Sequence, residues 1–370
     1  MKALRVGVVG CGTITGAYLK NMNASPHLEV MACADQVLER ARARAAEFSV
    51  PRACSTEELV ADRDVDLVLN LTVPGAHAEV TLAALREGKH VYTEKPLATT
   101  RDDGKRILAA AKSSGLTVAC APDTFLGSGI QTCLRLLEQG DLGEPLAASA
   151  FMFGRGPENW HPNPAFFYQP GGGPMLDMGP YYLTTLVCLL GPVRRVTGMS
   201  RILYAERTAD RGPRAGETFK VSTPTFVAGL LEFDSGAQAT LVTSLGIWGA
   251  DLPNMQVYGT KGILGVPDPN YFRGPVKLRS NVDESAWHEV PLLYSHTDGP
   301  GNFRGLGVVE MALAIGRSEE PRASGELAYH VLDVMQSIQE SSTTGRHVTV
   351  QSTCMRPPLL PLDDILEVGK

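Results

Sequence analysis

The sequence predicts an α/β half built on a doubly wound parallel sheet, followed by an α+β half built on an open mixed or antiparallel sheet. Three observations carry that expectation. From Leu4 to Asp123, apolar runs of strand length alternate regularly with helix-length stretches, the pattern of parallel βα units. After Asp123, strand-like runs follow one another across long connections with no helix between them, as in antiparallel or mixed sheets. An acidic residue, Asp35, closes the second apolar run 23 positions after Gly12 in a strand-end glycine loop. The division is therefore expected between 1–123 and 124–370.

Composition agrees with two ordinary globular cores. The 370 residues are 44% hydrophobic and 20% charged, with a net charge of -6 and no block of like charges. Nucleic acid, whose phosphates require clustered Lys and Arg, is not an expected partner. No apolar run approaches the roughly 18 residues of a spanning helix, and Met1–Gly12 turns polar too early for a signal peptide. A cytoplasmic protein is expected, with no membrane partner. The seven cysteines are scattered, odd in number and without CxxC, so neither a disulfide framework nor a metal site is expected.

Taken in order, Leu4–Val9 reads as a strand that breaks into GCGTIT and then a helix to Asn23. Gly10 permits a tight turn there. Gly12 lets backbone N–H groups approach a pyrophosphate at a helix N-terminus. Thr13 and Ile14 complete the loop expected against a dinucleotide, and Thr15 stands where GxGxxG has its third glycine. The strand Leu28–Ala34 delivers Asp35, placed to accept from the adenosine ribose. A helix cap for Val37–Phe48 is the other role open to it. With no Arg immediately beside Asp35, NAD is expected over NADP, while Arg40 keeps NADP in play.

Next come a strand in Val65–Pro74, a helix Ala76–Glu87, the strand of HVYTEKP, a helix from about Thr99 to Ser114, and the strand Leu116–Asp123. Ligands of such sheets lie beyond the carboxyl ends of the strands. Thr72, Pro74, His77, Glu94 and Lys95 are therefore expected to face the cofactor. For His77 a cap or surface role, and for Glu94 a surface pair, are equally open. Pro96 ends its strand, having no N–H to donate and holding Lys95 extended. Beyond a helix Phe125–Gln139, strands are expected within GDLGEPLAASAFMF and at Arg194–Leu203, Thr225–Phe233, Gln238–Leu245, Met255–Tyr258 and Trp287–Leu292.

Between the first two of these strands, GGGPMLDMGPYYLTTLVCLLG puts Asp177 and Tyr181 four residues apart. They are expected on one side of a single helix reaching about Leu190. A carboxylate and a phenol meeting an amine is the equipment for acid-base chemistry on an alcohol. The loop Gly154–Gln169, with Arg155, Glu158, Trp160 and His161, and the segment His296 to Arg304 are the expected substrate contacts.

The order of GCGTIT, Asp35, TVP with His77, EKP and DMGPY resembles the glucose-fructose oxidoreductase, inositol dehydrogenase and rhizopine-catabolism (Gfo/Idh/MocA) family. The resemblance covers nearly the whole chain, including RASGELAYHVLDVMQSI at Arg322–Ile338. It implies a Rossmann domain followed by an open-sheet domain, assembled as homodimers or homotetramers through the second sheet. It also implies reversible hydride transfer between NAD(P) and a secondary carbinol of a sugar, glycoside or cyclitol. Lys95 matches the EKP lysine and Asp177 the motif carboxylate, while Tyr181 stands where many members have His. Either Lys95 or Tyr181 then exchanges the hydroxyl proton. Asp123 stands where many relatives have Asn. A glycosidase that oxidises and re-reduces its sugar through bound NAD would share these residues. A dinucleotide-binding regulator would need neither Lys95 nor Asp177.

Overall fold

The computed structural model describes residues 2–282, 286–295, 297 and 299–361. Strand and helix alternate through β1 (Leu4–Val9), α1 (Thr15–Asn23), β2 (Leu28–Ala34), α2 (Leu38–Phe48), β3 (Arg52–Cys54) and α3 (Thr56–Val60). The alternation continues through β4 (Leu67–Asn70), α4 (His77–Arg86), β5 (His90–Thr93), α5 (Arg101–Ser114) and β6 (Val118–Cys120). The six strands form one parallel sheet in the order β3-β2-β1-β4-β5-β6. Val6, Val8, Val68 and Leu69 are fully buried, because helices cover both faces of a sheet wound this way. The chain reverses its direction of winding between β1 and β4, which opens a crevice beyond their carboxyl ends.

The second part begins with α6 (Ser128–Glu138), β7 (Pro145–Phe153), α7 (Gly173–Asp177), α8 (Gly179–Leu190) and β8 (Val193–Arg201). Strands β9 (Glu206–Thr208) and β10 (Thr218–Lys220) pair with each other as a small ribbon. They are followed by β11 (Phe226–Phe233), β12 (Gln238–Ser244), β13 (Met255–Gly259), β14 (Gly262–Val266), β15 (Val276–Ser280) and β16 (His288–Val290). The chain closes with α9 (Leu306–Arg317), α10 (Gly325–Thr344) and β17 (Val348–Thr349). A nine-stranded sheet runs in the order β16-β15-β14-β13-β7-β12-β11-β8-β17, with β7 and β12 parallel and the other pairs antiparallel.

Helices α6, α7, α8 and α10 cover one face of this sheet. Alternation along β11 turns Val227, Gly229, Leu231 and Phe233 toward them and leaves Leu230 outward, as the two-residue period of a half-covered strand requires. On the outer face Leu230 and Met199 are exposed. Helix α8 is buried along its whole length, which explains why it carries no polar stripe. Six of the seven cysteines are buried and all are free thiols. Among the described residues no helix is long and apolar enough to cross a membrane.

Helix α10 joins the two halves, packing on β8 of the second sheet and on α5 and β6 of the first. It sits close to β8 because Gly198 leaves room: a Cβ there would stand 2.6 Å from a methyl of Ile338. Charge fastens the same junction. Arg101, which begins α5, donates through Nε to Asp333 Oδ1 at 2.6 Å, through Nη2 to Ser337 Oγ at 2.6 Å and through Nη1 to Glu340 Oε2 at 2.8 Å. Gln336 Nε2 donates to Thr99 O at 2.7 Å. The segment between Lys95 and α5 is therefore held by a helix more than two hundred residues further along the chain.

Candidate active site

At the turn after β1, Gly10 has a φ of 98°, and a Cβ there would meet the Leu71 backbone at 2.6 Å. Only glycine combines that left-handed backbone with that approach. Around Gly12 a Cβ would meet nothing within 4 Å, so this side of the loop faces open space. Thr15, in the third glycine's place, is buried and donates its hydroxyl to Gly10 O at 2.8 Å. Asp35 accepts from Cys11 N at 2.8 Å and from Val37 N at 2.8 Å. Its carboxylate thus stands beside the glycine loop rather than capping α2, whose N-cap is Val37. Arg40 reaches to 4.0 Å of it.

Gly10, Gly12, Asp35, Arg40 and Thr72 line one cavity of about 620 Å³ with Val73 and Ala76, a size that suits the adenosine end of a dinucleotide. Thr13 is exposed and Ile14 is half-buried at the start of α1. Thr72 donates its hydroxyl to Asn70 Oδ1 at 2.7 Å, and Pro74 opens a single helical turn to Ala76. These groups fit a dinucleotide: a glycine turn, a helix N-terminus and a carboxylate beside one cavity.

His77 is corrected by the structure. It is buried rather than turned to the crevice, with Nδ1 2.7 Å from Pro96 O and Nε2 3.0 Å from Thr72 O. Burial pushes its imidazole below the usual histidine range, against the pull of those two carbonyls. It clasps the loop after β4 to the loop after β5 and has no nitrogen left for a cofactor. Glu94 is also engaged, accepting from Tyr18 Oη at 2.8 Å and from Lys95 N at 3.0 Å.

Lys95, beyond the end of β5, points across to the second half of the chain. Its Nζ donates to Asp177 Oδ1 and to Asp177 O, both at 2.8 Å, and lies 5.2 Å from the Tyr181 ring centroid. The amine, carboxylate and phenol therefore meet. Lys95 and Asp177 keep 15% and 26% of their side chains exposed, enough for a small molecule to reach them. Burial alone would lower the Lys95 ammonium; Asp177, Tyr181 and Glu94 outweigh it and hold the group above the usual lysine range. The expected single helix is in fact two. Asp177 ends α7, Tyr181 lies in the first turn of α8, and Met178 joins them.

Arg304, at the end of the His296–Arg304 segment, belongs to the same cluster. Its Nη2 donates to Tyr181 Oη and to Asn270 Oδ1, each at 2.9 Å. His296 lies outside the described residues. Arg155, Trp160 and His161 make their contacts elsewhere. Arg155 pairs with Asp210 at 3.3 Å and stacks on Trp248, while Trp160 and His161 pack edge-on against Phe167. Glu158 is buried, accepting from Tyr168 Oη at 2.7 Å and pairing with Arg207. The expected substrate loop is thus tied to itself and to Asp210, Trp248 and Arg207, and none of these contacts runs to Lys95 or Asp177.

Residues 4–121 match the family described as oxidoreductases with an NAD-binding Rossmann fold, and residues 130–265 match the GFO/IDH/MocA C-terminal domain. The chain belongs to the Gfo/Idh/MocA oxidoreductase family. Among relatives in this family is a 1,5-anhydro-D-fructose reductase from Ensifer adhaerens, 26% identical over 94% of this chain and 99% of its own. Similar folds include an NAD binding oxidoreductase from Klebsiella pneumoniae, with TM-score 0.81, 24% identity and coverage of 94% and 99%. A levoglucosan dehydrogenase in complex with NADH and L-sorbose superposes with TM-score 0.80 and 20% identity, covering 95% of this chain and all of the other.

In this Gfo/Idh/MocA protein Asp123, which stands where many relatives have Asn, is taken up by backbone N–H groups. Its buried Oδ2 accepts from Gly305 N at 2.9 Å and Gly307 N at 3.0 Å, anchoring the start of α9 to the end of β6. Burial raises its carboxyl from 3.8 to about 6, against those N–H groups and Arg304. The folded state therefore binds the proton more tightly than the unfolded chain. The stabilisation that follows is complete below about 4 and is lost as pH rises through about 6, a difference of roughly 3 kcal/mol. Asp123→Asn keeps an oxygen for both N–H groups and removes the buried charge. At pH 8 the variant is expected to be more stable by up to about 3 kcal/mol, and the gap should close by pH 4 in urea unfolding. A gap independent of pH would refute this account.

Proposed function

We propose that the protein transfers hydride between NAD and a secondary hydroxyl or keto carbon of a sugar, glycoside or cyclitol. The meeting of Lys95, Asp177 and Tyr181 beyond the end of β5 carries this reading. The sugar-directed names of the Ensifer reductase and the levoglucosan dehydrogenase support the substrate class. NAD, when bound, supplies the hydride acceptor. Asp177 fixes the Lys95 ammonium, whose charge stabilises the alkoxide oxygen formed as the hydroxyl proton leaves, the oxygen that becomes the carbonyl when hydride departs. Since Lys95 Nζ donates twice to Asp177, Tyr181 exchanges the proton at that oxygen, accepting it as phenolate when the hydroxyl is oxidised and giving it as phenol when the keto group is reduced. Mixing the protein with NAD and a panel of free sugars, glycosides and inositols tests the reading through the absorbance of reduced nicotinamide. NADH accumulation supports a dehydrogenase; aglycone release without NADH would replace it with a redox-neutral hydrolase.

The carboxylate beside the glycine loop favours NAD over NADP in this reading, because a 2′-phosphate would be repelled by it. Asp35→Ala is expected to weaken NAD about 10-fold, the scale of a lost charged hydrogen bond, and NADP much less. Fluorescence titration measures both. Equal losses would leave Asp35 only the task of holding Cys11 N–H.

The division at 123/124 and a cytoplasmic location remain part of this proposal. So does assembly as a homodimer or homotetramer through the open sheet face bearing Met199 and Leu230, since an exposed apolar surface on a sheet is best covered by another subunit. Sedimentation velocity is expected to show a dimer or tetramer at micromolar concentration; a monomer would contradict it.

A further inference from the structure

We propose that Arg304 is a positioning residue for proton exchange, holding the Tyr181 oxygen so that its phenolic hydrogen is turned toward the substrate. This rests on the redox reading given above. A guanidinium has only N–H donors, so in the 2.9 Å contact between Arg304 Nη2 and Tyr181 Oη the phenol accepts. The single hydrogen on that oxygen must then point away from Arg304. The Tyr181 hydroxyl makes no other hydrogen bond among the described residues, which leaves its hydrogen for a group entering the cleft.

Arg304 is itself held in place. Its Nη2 also reaches Asn270 Oδ1 at 2.9 Å and its Nη1 reaches Asn302 Oδ1 at 3.1 Å. The next residue, Gly305, is pinned by Asp123 at the end of β6. The hydroxyl on α8 is thus set by a side chain anchored to the first sheet, and the same sheet carries Lys95. Both halves of the protein fix the angle between amine and phenol.

The test combines a kinetic cycle with a readout that needs no turnover. Arg304→Met is expected to lower kcat about 10- to 100-fold, within the range of acid-base contributions, with KM changed less than about threefold. Arg304→Lys should recover part of the loss. In a Tyr181→Phe background, adding Arg304→Met should cost less than about twofold, because residues acting as a unit are not additive. The 13Cζ resonance of Tyr181, assigned by its absence in Tyr181→Phe, should move in Arg304→Met. If Arg304→Met does not fold, Asn270→Ala frees Arg304 without touching Tyr181 and should give a smaller kcat loss that also vanishes in Tyr181→Phe. Losses that multiply in the double variant, a loss confined to KM, or an unmoved resonance would each overturn the proposal. A parent protein that turns over none of the sugars would instead sink the redox reading, while the resonance still decides whether Arg304 sets the phenol.

Discussion

Lys95→Met is expected to lower kcat by about 10³-fold, in the middle of the range for a positioned acid-base or electrostatic group, while NAD affinity stays within about threefold. The separation follows from where the side chain points. Lys95 Nζ spends its two hydrogen bonds on Asp177, in the second half of the chain, and lies near the Tyr181 ring. The cavity beside Gly10, Gly12 and Asp35 does not include it. Methionine fills the volume of the lysine stem, so packing changes little. What disappears is the charge that stabilises a developing oxyanion, together with the countercharge of Asp177. Activity within a few fold of the parent would remove Lys95 from the chemistry, and a parallel collapse of NAD affinity would make it a cofactor ligand instead.

Arg101→Ala is expected to cost about 3 kcal/mol of folding stability. The reason is the carboxylate it leaves behind. Asp333 has a side chain only 1% exposed, against 27% for Arg101. Its Oδ2 is satisfied by Gln351 N at 3.1 Å and Ser352 N at 2.9 Å, but Oδ1 has, besides Arg101 Nε at 2.6 Å, only a long contact from Ser337 Oγ at 3.5 Å. Breaking a buried pair by removing one partner strands the other charge, which costs far more than a surface ion pair contributes. The bond from Arg101 Nη1 to Glu340, whose side chain is 47% exposed, should matter little, so Glu340→Ala provides the control. Urea unfolding of both variants checks the prediction; equal small losses would mean that α10 is held to the first sheet by apolar packing alone. Because Arg101 follows the Lys95 segment, its loss should also lower turnover at temperatures where the fold persists.

Much of the architecture was legible where a local rule acts alone. The limits of β1 and β2 match the apolar runs Leu4–Val9 and Leu28–Ala34, because each run stops at a residue the turn demands. The glycine turn and Asp35 were legible for the same reason. Other features depend on distant groups. The break at Met178 could not be seen in a spacing of four, since it is set where α7 hands Asp177 to a lysine 82 residues away in the chain. His77 opens α4 and reads as a surface imidazole, yet two carbonyls from separate loops converge on it and bury it. Asp123 looks like a cleft residue from its strand-end position, but its carboxylate is taken up by backbone N–H groups at 305 and 307. Arg304 carried only the weak signal of lying at the end of a polar segment, because its contact with Tyr181 spans 123 residues of sequence. Arg155, Trp160 and His161 have the composition of a sugar platform, and that composition serves their own loop equally well.

Following deuterium from carbon to carbon tests the whole reading most directly. Sugars, glycosides and inositols labelled with deuterium at each secondary carbinol can be incubated with the protein and NAD, and the nicotinamide C4 position read by NMR. The geometry of Lys95, Asp177 and Tyr181 predicts deuterium at C4 from at least one labelled position, arriving about 10³-fold more slowly when Lys95 is replaced by methionine. Saturable NAD binding with no label reaching C4 from any of these compounds would contradict the assignment of this cluster as a centre for hydride transfer.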